Sequence, residues 1–414
     1  MKVITITREF GAGGGEVARE LAQTLGWEML DRELLHQAAE IEHVPDAELE
    51  RLDEKAISTA DRFRLHPPHQ KYLRGLSEAA RRAAQRGKVV LVGRGARHLL
   101  GEMPEVFHLR LVAPREWRAK RMAGLEGWSL DEARSRCLEV ERIRGLFTRY
   151  FFGPSATEPA QYDLVVNTAR VPLEDVTGVV AAMVRPGSAE AGPETEKGPI
   201  CRNGPKGAAH KLDLSPFPAP FPARRVLTLS RELGAGDSNF APALADRLKL
   251  HVYDRELLEQ EAAGLGVPEA ELEKIDEQPA SIFQRFRPGS IYQRYFAALE
   301  QIIRKLADRG DAILVGRGGN CYLRDDPRAF HVRLVAPTAV RCRRIMEYRW
   351  VREAVAKKLM AESDGRRRRF HESYFGIDWS NPLEYHVTVN SGRLALMALD
   401  LISAAAGFHW SRME

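Results

Sequence analysis

No run of 18 uninterrupted apolar residues occurs in this chain, so it offers no segment that could span a bilayer as a helix. Cysteine is scarce: four residues, Cys137, Cys201, Cys321 and Cys342, lie far apart without a CxxC pair. That spacing argues against a zinc site or a disulfide framework and is read as reduced, incidental thiols. There is no HxxxH pair and no Cys/His cluster, so any metal is expected to arrive as Mg²⁺ with a bound ATP and not at a dedicated metal site. Charge of one sign is also lacking. A net +5 over 414 residues is too small to imply a nucleic-acid partner by itself. A leader is not expected either, because Met1 is followed at once by strand-like Lys2-Val3-Ile4-Thr5-Ile6, and the cytoplasm is the expected compartment.

What the chain does have is itself, twice. Val3-Ile4-Thr5-Ile6-Thr7-Arg8-Glu9-Phe10-Gly11-Ala12-Gly13 returns as Val226-Leu227-Thr228-Leu229-Ser230-Arg231-Glu232-Leu233-Gly234-Ala235-Gly236, an offset of 223 residues. This predicts two domains, 1–186 and 224–414, each of ordinary size. Between them, 187–223 is rich in Pro, Gly, Ser, Lys and Glu and reads as a linker partly stiffened by polyproline geometry. A small ordered subdomain in which Phe217 and Phe221 dock on a neighbour is the alternative.

Within each copy, short β-branched runs alternate with helical patterns. Val3 to Thr7, Val89 to Val92, Val106 to Val112 and Leu164 to Val166 read as buried strands, with Ile313 to Val315, Phe330 to Val335 and His386 to Val389 in the second copy. Ala18, Leu21, Ala22 and Leu25 fall at helical spacing after the glycines, as do Ala241, Leu244, Ala245 and Leu248. The expected fold is α/β: two three-layer αβα domains of phosphate-loop type, each with a parallel central sheet and an arginine-rich lid.

A glycine-rich turn from strand to helix exposes backbone N–H groups that can ring a phosphate, helped by the helix N-terminus. Gly11, Ala12, Gly13, Gly14 and Gly15 are the candidates in copy one, with Gly234 and Gly236 in copy two. In GxxxxGK[ST] a lysine reaches the terminal phosphates; here Gly14 stands in its place, and Asp237 in copy two. A carboxylate there repels a phosphate by about 4 kcal/mol at ~4 Å and an effective dielectric of ~20. Arg8 and Arg231 are the nearest replacement cations. The bland alternative is a glycine turn that only joins strand to helix.

Further segments recur: Asp31-Arg32-Glu33-Leu34-Leu35 with Asp254-Arg255-Glu256-Leu257-Leu258, Gly93-Arg94-Gly95 with Gly316-Arg317-Gly318, Arg110-Leu111-Val112-Ala113-Pro114 with Arg333-Leu334-Val335-Ala336-Pro337, and Tyr150-Phe151-Phe152-Gly153 with Ser373-Tyr374-Phe375-Gly376. With the loop, this ordered set resembles the cytidylate kinase-like family, related to nucleoside monophosphate kinases, over nearly all of both copies. The resemblance implies nucleoside triphosphate and monophosphate as partners, Arg94 and Arg317 on the acceptor phosphate, and lid arginines closing over both phosphate groups. The lid candidates are Arg118, Arg121, Arg142, Arg144 and Arg149, then Arg341, Arg344 and Arg366 to Arg369; Arg118, Arg121 and Arg144 recur as Arg341, Arg344 and Arg367. Arg8, Arg94 and Arg144 are the expected catalytic set. Departures are equally informative. Relatives commonly carry arginine directly after the glycines, where Gly15 and Ser238 stand, and authentic cytidylate kinases carry aspartates where Gly95, Gly318, Val112 and Val335 stand.

Asp31 and Asp254 either orient an acceptor nucleotide or cap a helix. Asp53-Glu54 and Asp276-Glu277 read as solvated helix faces. Arg366 to Arg369 resembles a nucleic-acid patch in composition, but its alignment with the lid favours phosphate closure. His108 and His331 read as packing residues. Three functions stay open: a kinase, a catalytically silent pair that senses nucleotide or docks a partner, and a copy two that pairs with copy one to stabilise it.

Overall fold

The computed structural model describes residues 1–31, 68–93, 95–103, 105–184, 224–254 and 291–413. The proposed linker, Arg94, Asp53-Glu54, Asp276-Glu277 and Cys201 lie outside them. The chain divides into two compact units, Met1–Glu190 and Ala191–Glu414.

In the first unit β1 (Val3–Arg8) leads through the glycine loop into α1 (Gly14–Leu25) and β2 (Glu28–Leu30). Then follow α2 (Pro68–Arg86), β3 (Val89–Val92), α3 (Ala96–Leu100) and β4 (Val106–Val112). The unit closes with α4 (Arg115–Glu126), α5 (Leu130–Phe152), β5 (Leu164–Asn167) and α6 (Leu173–Val184). Strand order is β2-β3-β1-β4-β5, all parallel.

Parallel strands need helical crossovers on both faces, which explains why the strands are apolar throughout. Val3, Val89 and Leu91 face a core with Leu76, Ala80 and Ala83 of α2 and Leu100 of α3. Ile4, Ile6, Val90 and Val92 point the other way and are also buried, on the side where α1 and α6 pack together. Because β1 lies between β3 and β4, the carboxyl end of β1 sits where the connections diverge, the place such sheets bind ligands.

The second unit repeats this with β6 (Val226–Arg231), α7 (Phe240–Leu248), β7 (His251–Tyr253), α8 (Ile291–Arg309), β8 (Ala312–Val315), α9 (Gly319–Tyr322) and β9 (Ala329–Val335). It continues with α10 (Thr338–Arg349), α11 (Glu353–Phe375), β10 (Val387–Asn390), α12 (Ser391–Leu394) and α13 (Met397–Ser411). The order β7-β8-β6-β9-β10 is parallel. Its register repeats as well: Val3 opposes Val89 and Val106, and Val226 opposes Ala312 and Ala329.

His108 and His331 are fully buried, each paired with a strand threonine, Thr5 at 2.7 Å and Thr228 at 2.8 Å. No helix among the described residues is long and apolar enough to cross a membrane. Cys137, Cys321 and Cys342 are free thiols.

Candidate functional site

The loop between β1 and α1 turns on two left-handed glycines, Gly11 (φ 81°) and Gly13 (φ 84°). A β-carbon on Gly13 would lie 2.6 Å from Leu173 Cδ1, so any side chain there would have to push the Leu173 side chain aside as well as adopt the left-handed backbone that glycine takes freely. Ala12 is fully buried and its N–H donates to the Glu9 carbonyl. The amides of Gly11, Gly13, Gly14 and Gly15 donate to nothing among the described residues. Lying at the turn and at the N-terminus of α1, they are the groups a bound anion would use.

Arg8 runs through the place the missing lysine vacates. A β-carbon on Gly14 would lie 2.5 Å from Arg8 Cγ, and one on Gly93 would lie 1.7 Å from Arg8 Nη1. The arginine stem therefore lies against the first residue of α1, and its guanidinium reaches the turn after β3. Asp31, at the end of β2, stands 3.4 Å from Arg8 Nη2. Burial lowers the Arg8 pKa, and the Asp31 charge opposes that shift. The loops after β1, β2 and β3 thus meet on one arginine, the first on its stem and the other two on its guanidinium. Arg94 directly follows Gly93 in sequence.

Arg118 and Arg121, on consecutive turns of α4, point at the loop itself. Arg118 is almost fully buried. It donates to the carbonyls of Phe10 (3.0 Å) and Ala113 (2.7 Å) and pairs with Glu9 (3.4 Å) and Glu141. Glu9 in turn accepts the Ala113 amide at 3.1 Å. Arg121 donates to the Gly11 carbonyl at 3.4 Å and pairs with Glu16. Loop carbonyls are thereby held on α4. Arg144, on α5, is exposed, its guanidinium 5.9 Å from the Phe10 ring centroid.

The second unit keeps the scaffold and alters the cradle. Arg341 donates to the Leu233 carbonyl (2.8 Å) and pairs with Glu232 (3.1 Å) and Asp364. Arg344 donates to the carbonyls of Gly234 (3.2 Å), Ala235 and Ser391. Burial of Glu232 raises its pKa, with Arg333 and Arg341 opposing and Asp364 adding. However, α7 starts at Phe240, whereas α1 starts at Gly14, the counterpart of Asp237. One turn of helix is missing. The exposed Asp237 carboxylate accepts the Asn239 amide at 3.1 Å, so an N–H near the helix start is taken by the chain's own anion. Asp237 also lies within electrostatic reach of Arg231 and Arg344.

Burial lowers the Arg231 pKa, and Asp254 and Asp237 oppose the shift. Arg367 pairs with Asp364 at 3.2 Å; its pKa too is lowered by burial, with Asp364 opposing and nearby Arg231 adding. Arg317 is left-handed (φ 50°), with its guanidinium 5.8 Å from the Phe370 ring centroid.

Sequence reasoning missed Glu9 and Glu232, Glu141 and Asp364, and Phe152 and Phe375. A β-carbon on Gly95 would lie 2.4 Å from Phe152, and one on Gly318 2.6 Å from Phe375. The aromatic of the Phe-Gly motif closing α5 or α11 therefore fills the space beside the Gly-Arg-Gly turn. All of these pairs recur at the 223-residue offset, which was the available signal.

A parallel sheet of order 2-3-1-4-5 with a glycine loop, unpartnered amides and converging arginines at its switch point defines a kinase-like α/β protein. The chain belongs to the cytidylate kinase-like family, whose model matches residues 3–170 and 226–393. It is 27% identical over 194 residues to the cytidylate kinase of Methanopyrus kandleri, covering 44% of this chain and 93% of that one. The cytidylate kinase of Ignicoccus hospitalis is 29% identical over 191 residues, at 44% and 99% coverage. Among solved structures, an uncharacterized protein from Eubacterium ventriosum matches with 26% identity and a TM-score of 0.36, covering 43% of this chain and 96% of that one. Shikimate kinase from Bacteroides thetaiotaomicron matches with 13% identity and a TM-score of 0.29, at 44% and 98% coverage. The protein is thus nucleotide-kinase-like, with its family region present twice.

Proposed function

We propose that the two copies, 1–186 and 224–414, are separate domains joined by 187–223, and that copy one transfers the terminal phosphoryl group of Mg²⁺-bound ATP to a nucleoside monophosphate such as CMP. The loop amides of Gly11 and Gly13 to Gly15 and the Arg8 guanidinium hold the donor phosphates. Arg94 and Asp31 orient the acceptor, and Arg144 offsets charge in the transition state, since phosphoryl transfer depends mainly on positioned positive charge. Arg118 and Arg121 serve as positioning residues that fix the loop carbonyls. Mg²⁺ would enter with ATP, held mainly by phosphate oxygens and water, and would supply positive charge at the transferred phosphoryl group.

The observation that carries this reading is the path of Arg8 across Gly14 to the turn after β3. It is the cation that the altered loop otherwise lacks. The test is a turnover screen of the full chain against the common monophosphates with Mg²⁺-ATP, in which CMP is converted to CDP. No diphosphate from any monophosphate, in folded protein, would reject the reading.

Asp237 favours a second reading for copy two alone: a domain that keeps the fold without transferring phosphate, serving as a nucleotide sensor or as a packing partner of copy one. Calorimetry with ATP on a chain whose copy-one site is disabled separates a sensor, which gives heat without turnover, from a scaffold, which gives none.

A further inference from the structure

The corner between α10 and α11 differs in sequence from its counterpart in the first unit. Copy one reads Leu125-Glu126-Gly127-Trp128-Ser129 there, and copy two reads Tyr348-Arg349-Trp350-Val351-Arg352. Trp350 is 88% exposed and Tyr348 70% exposed, the Trp350 value being the highest among the large apolar side chains of the described residues. Trp350 also holds a left-handed backbone (φ 55°), which the first copy gives to Gly127 (φ 71°). A bulky residue in that conformation carries strain that glycine avoids. An indole that is both strained and solvated contributes little to the fold, which points to a contact outside the domain.

The adjoining helix supplies charge. Ala356, Met360 and His371 form the buried seam of α11. At about 100° per residue, Val355, Lys358, Glu362, Arg366 and Arg369 fall on one stripe turned roughly 150° from that seam, and all five are exposed. The same stripe on α5 is Glu132, Ser135, Glu139, Ile143 and Leu146, acidic and apolar. Lys358 is paired with Glu362 (3.9 Å). Arg349, Arg352, Arg366 and Arg369 have no ion pair among the described residues. From Arg352 to Arg369 is 17 residues of helix, about 25 Å.

We infer that this face of copy two binds single-stranded nucleic acid, with Trp350 and Tyr348 stacking on bases and the four arginines tracking the backbone phosphates. The stripe is turned away from the α11 seam that packs on Leu233 of the glycine loop, and the inference does not depend on the proposed phosphoryl transfer. Overall charge gave no reason to expect such a partner because the acidic residues of the remaining surface average it away. Exposed aromatics select a single strand over a duplex, whose bases offer no open ring face.

Fluorescence anisotropy of a labelled oligothymidylate of about twelve nucleotides, titrated with the full chain, tests this. Affinity is expected to fall with salt at a log–log slope of about −3, four phosphates at ~0.7 each. R366A/R369A should reduce that slope by about 1.4. W350G, which restores the residue of copy one and relaxes the backbone, should fold normally by circular dichroism yet weaken binding about tenfold. Duplex of the same length should bind less tightly. The inference is overturned by absence of binding at low salt, by binding that neither variant alters, by complete displacement with ATP, by preference for duplex, or by equal affinity for polyglutamate, which would mark a surface for acidic proteins.

Discussion

Two buried arginine networks show how single residues divide between building the loop and serving it. Arg118 is nearly inaccessible and is bonded to Phe10, Ala113, Glu9 and Glu141. Removing one partner of such a group leaves carboxylates uncompensated in a poor solvent, at a cost of about 3 to 5 kcal/mol. Arg118→Met is therefore expected to lower stability in urea by that amount; a change below about 1 kcal/mol would show that the network does not hold the loop. Asp237 gives the converse test. Replacing it with glycine, the copy-one residue, removes a carboxylate from the helix start and frees the Asn239 amide. Calorimetry should then detect tighter ATP binding at copy two, and unchanged heat would show that Asp237 is not what weakens the cradle. The family resemblance placed Arg118 and Arg121 among the lid cations. Their actual direction was not legible because Glu9 and Glu141 are 132 residues apart, and only the closed fold brings them to one guanidinium.

At the scale of elements, the strands and the helices after each glycine loop were readable because parallel strands buried on both faces leave continuous β-branched runs. The late start of α7 was less so. Asp237-Ser238-Asn239 can cap or continue a helix equally well by composition, and the Asp237 Asx turn decides between them. Helix α11 carries a titration of its own. His371 is buried on its seam, and burial pulls its pKa down to about 4; the bond to the Arg367 carbonyl opposes this, while the Arg367 and Arg333 charges add to it. Unfolded, the imidazole takes a proton below its ordinary value near 6.5, whereas folded it does so only near 4. Stability from this group is intact above pH ~6.5 and lost as pH falls toward 4, on the order of 2 kcal/mol by pH ~5. Its Nε2 has no hydrogen-bond partner, so leucine is a tolerable replacement. The stability difference between wild type and His371→Leu should shift in favour of the variant between pH 7 and 5; a constant difference would contradict the assignment.

For the whole molecule, duplication is the organising fact. Register, strand order and the carbonyl-holding arginines are preserved in both units, so the scaffold tolerates an altered glycine loop in one of them. In the proposed division of labour, copy one handles phosphates and copy two has been released to other uses, including the basic, aromatic corner at Trp350. The asymmetry is measurable in a single experiment: CDP formation from CMP and Mg²⁺-ATP by the intact chain carrying either Arg8→Ala or Arg231→Ala. Arg8→Ala should lower turnover by at least about 100-fold, the scale for removing a positioned charge from a transition state, and Arg231→Ala should leave it within about twofold of wild type. Equal losses in the two variants, or turnover that survives Arg8→Ala, would contradict the account.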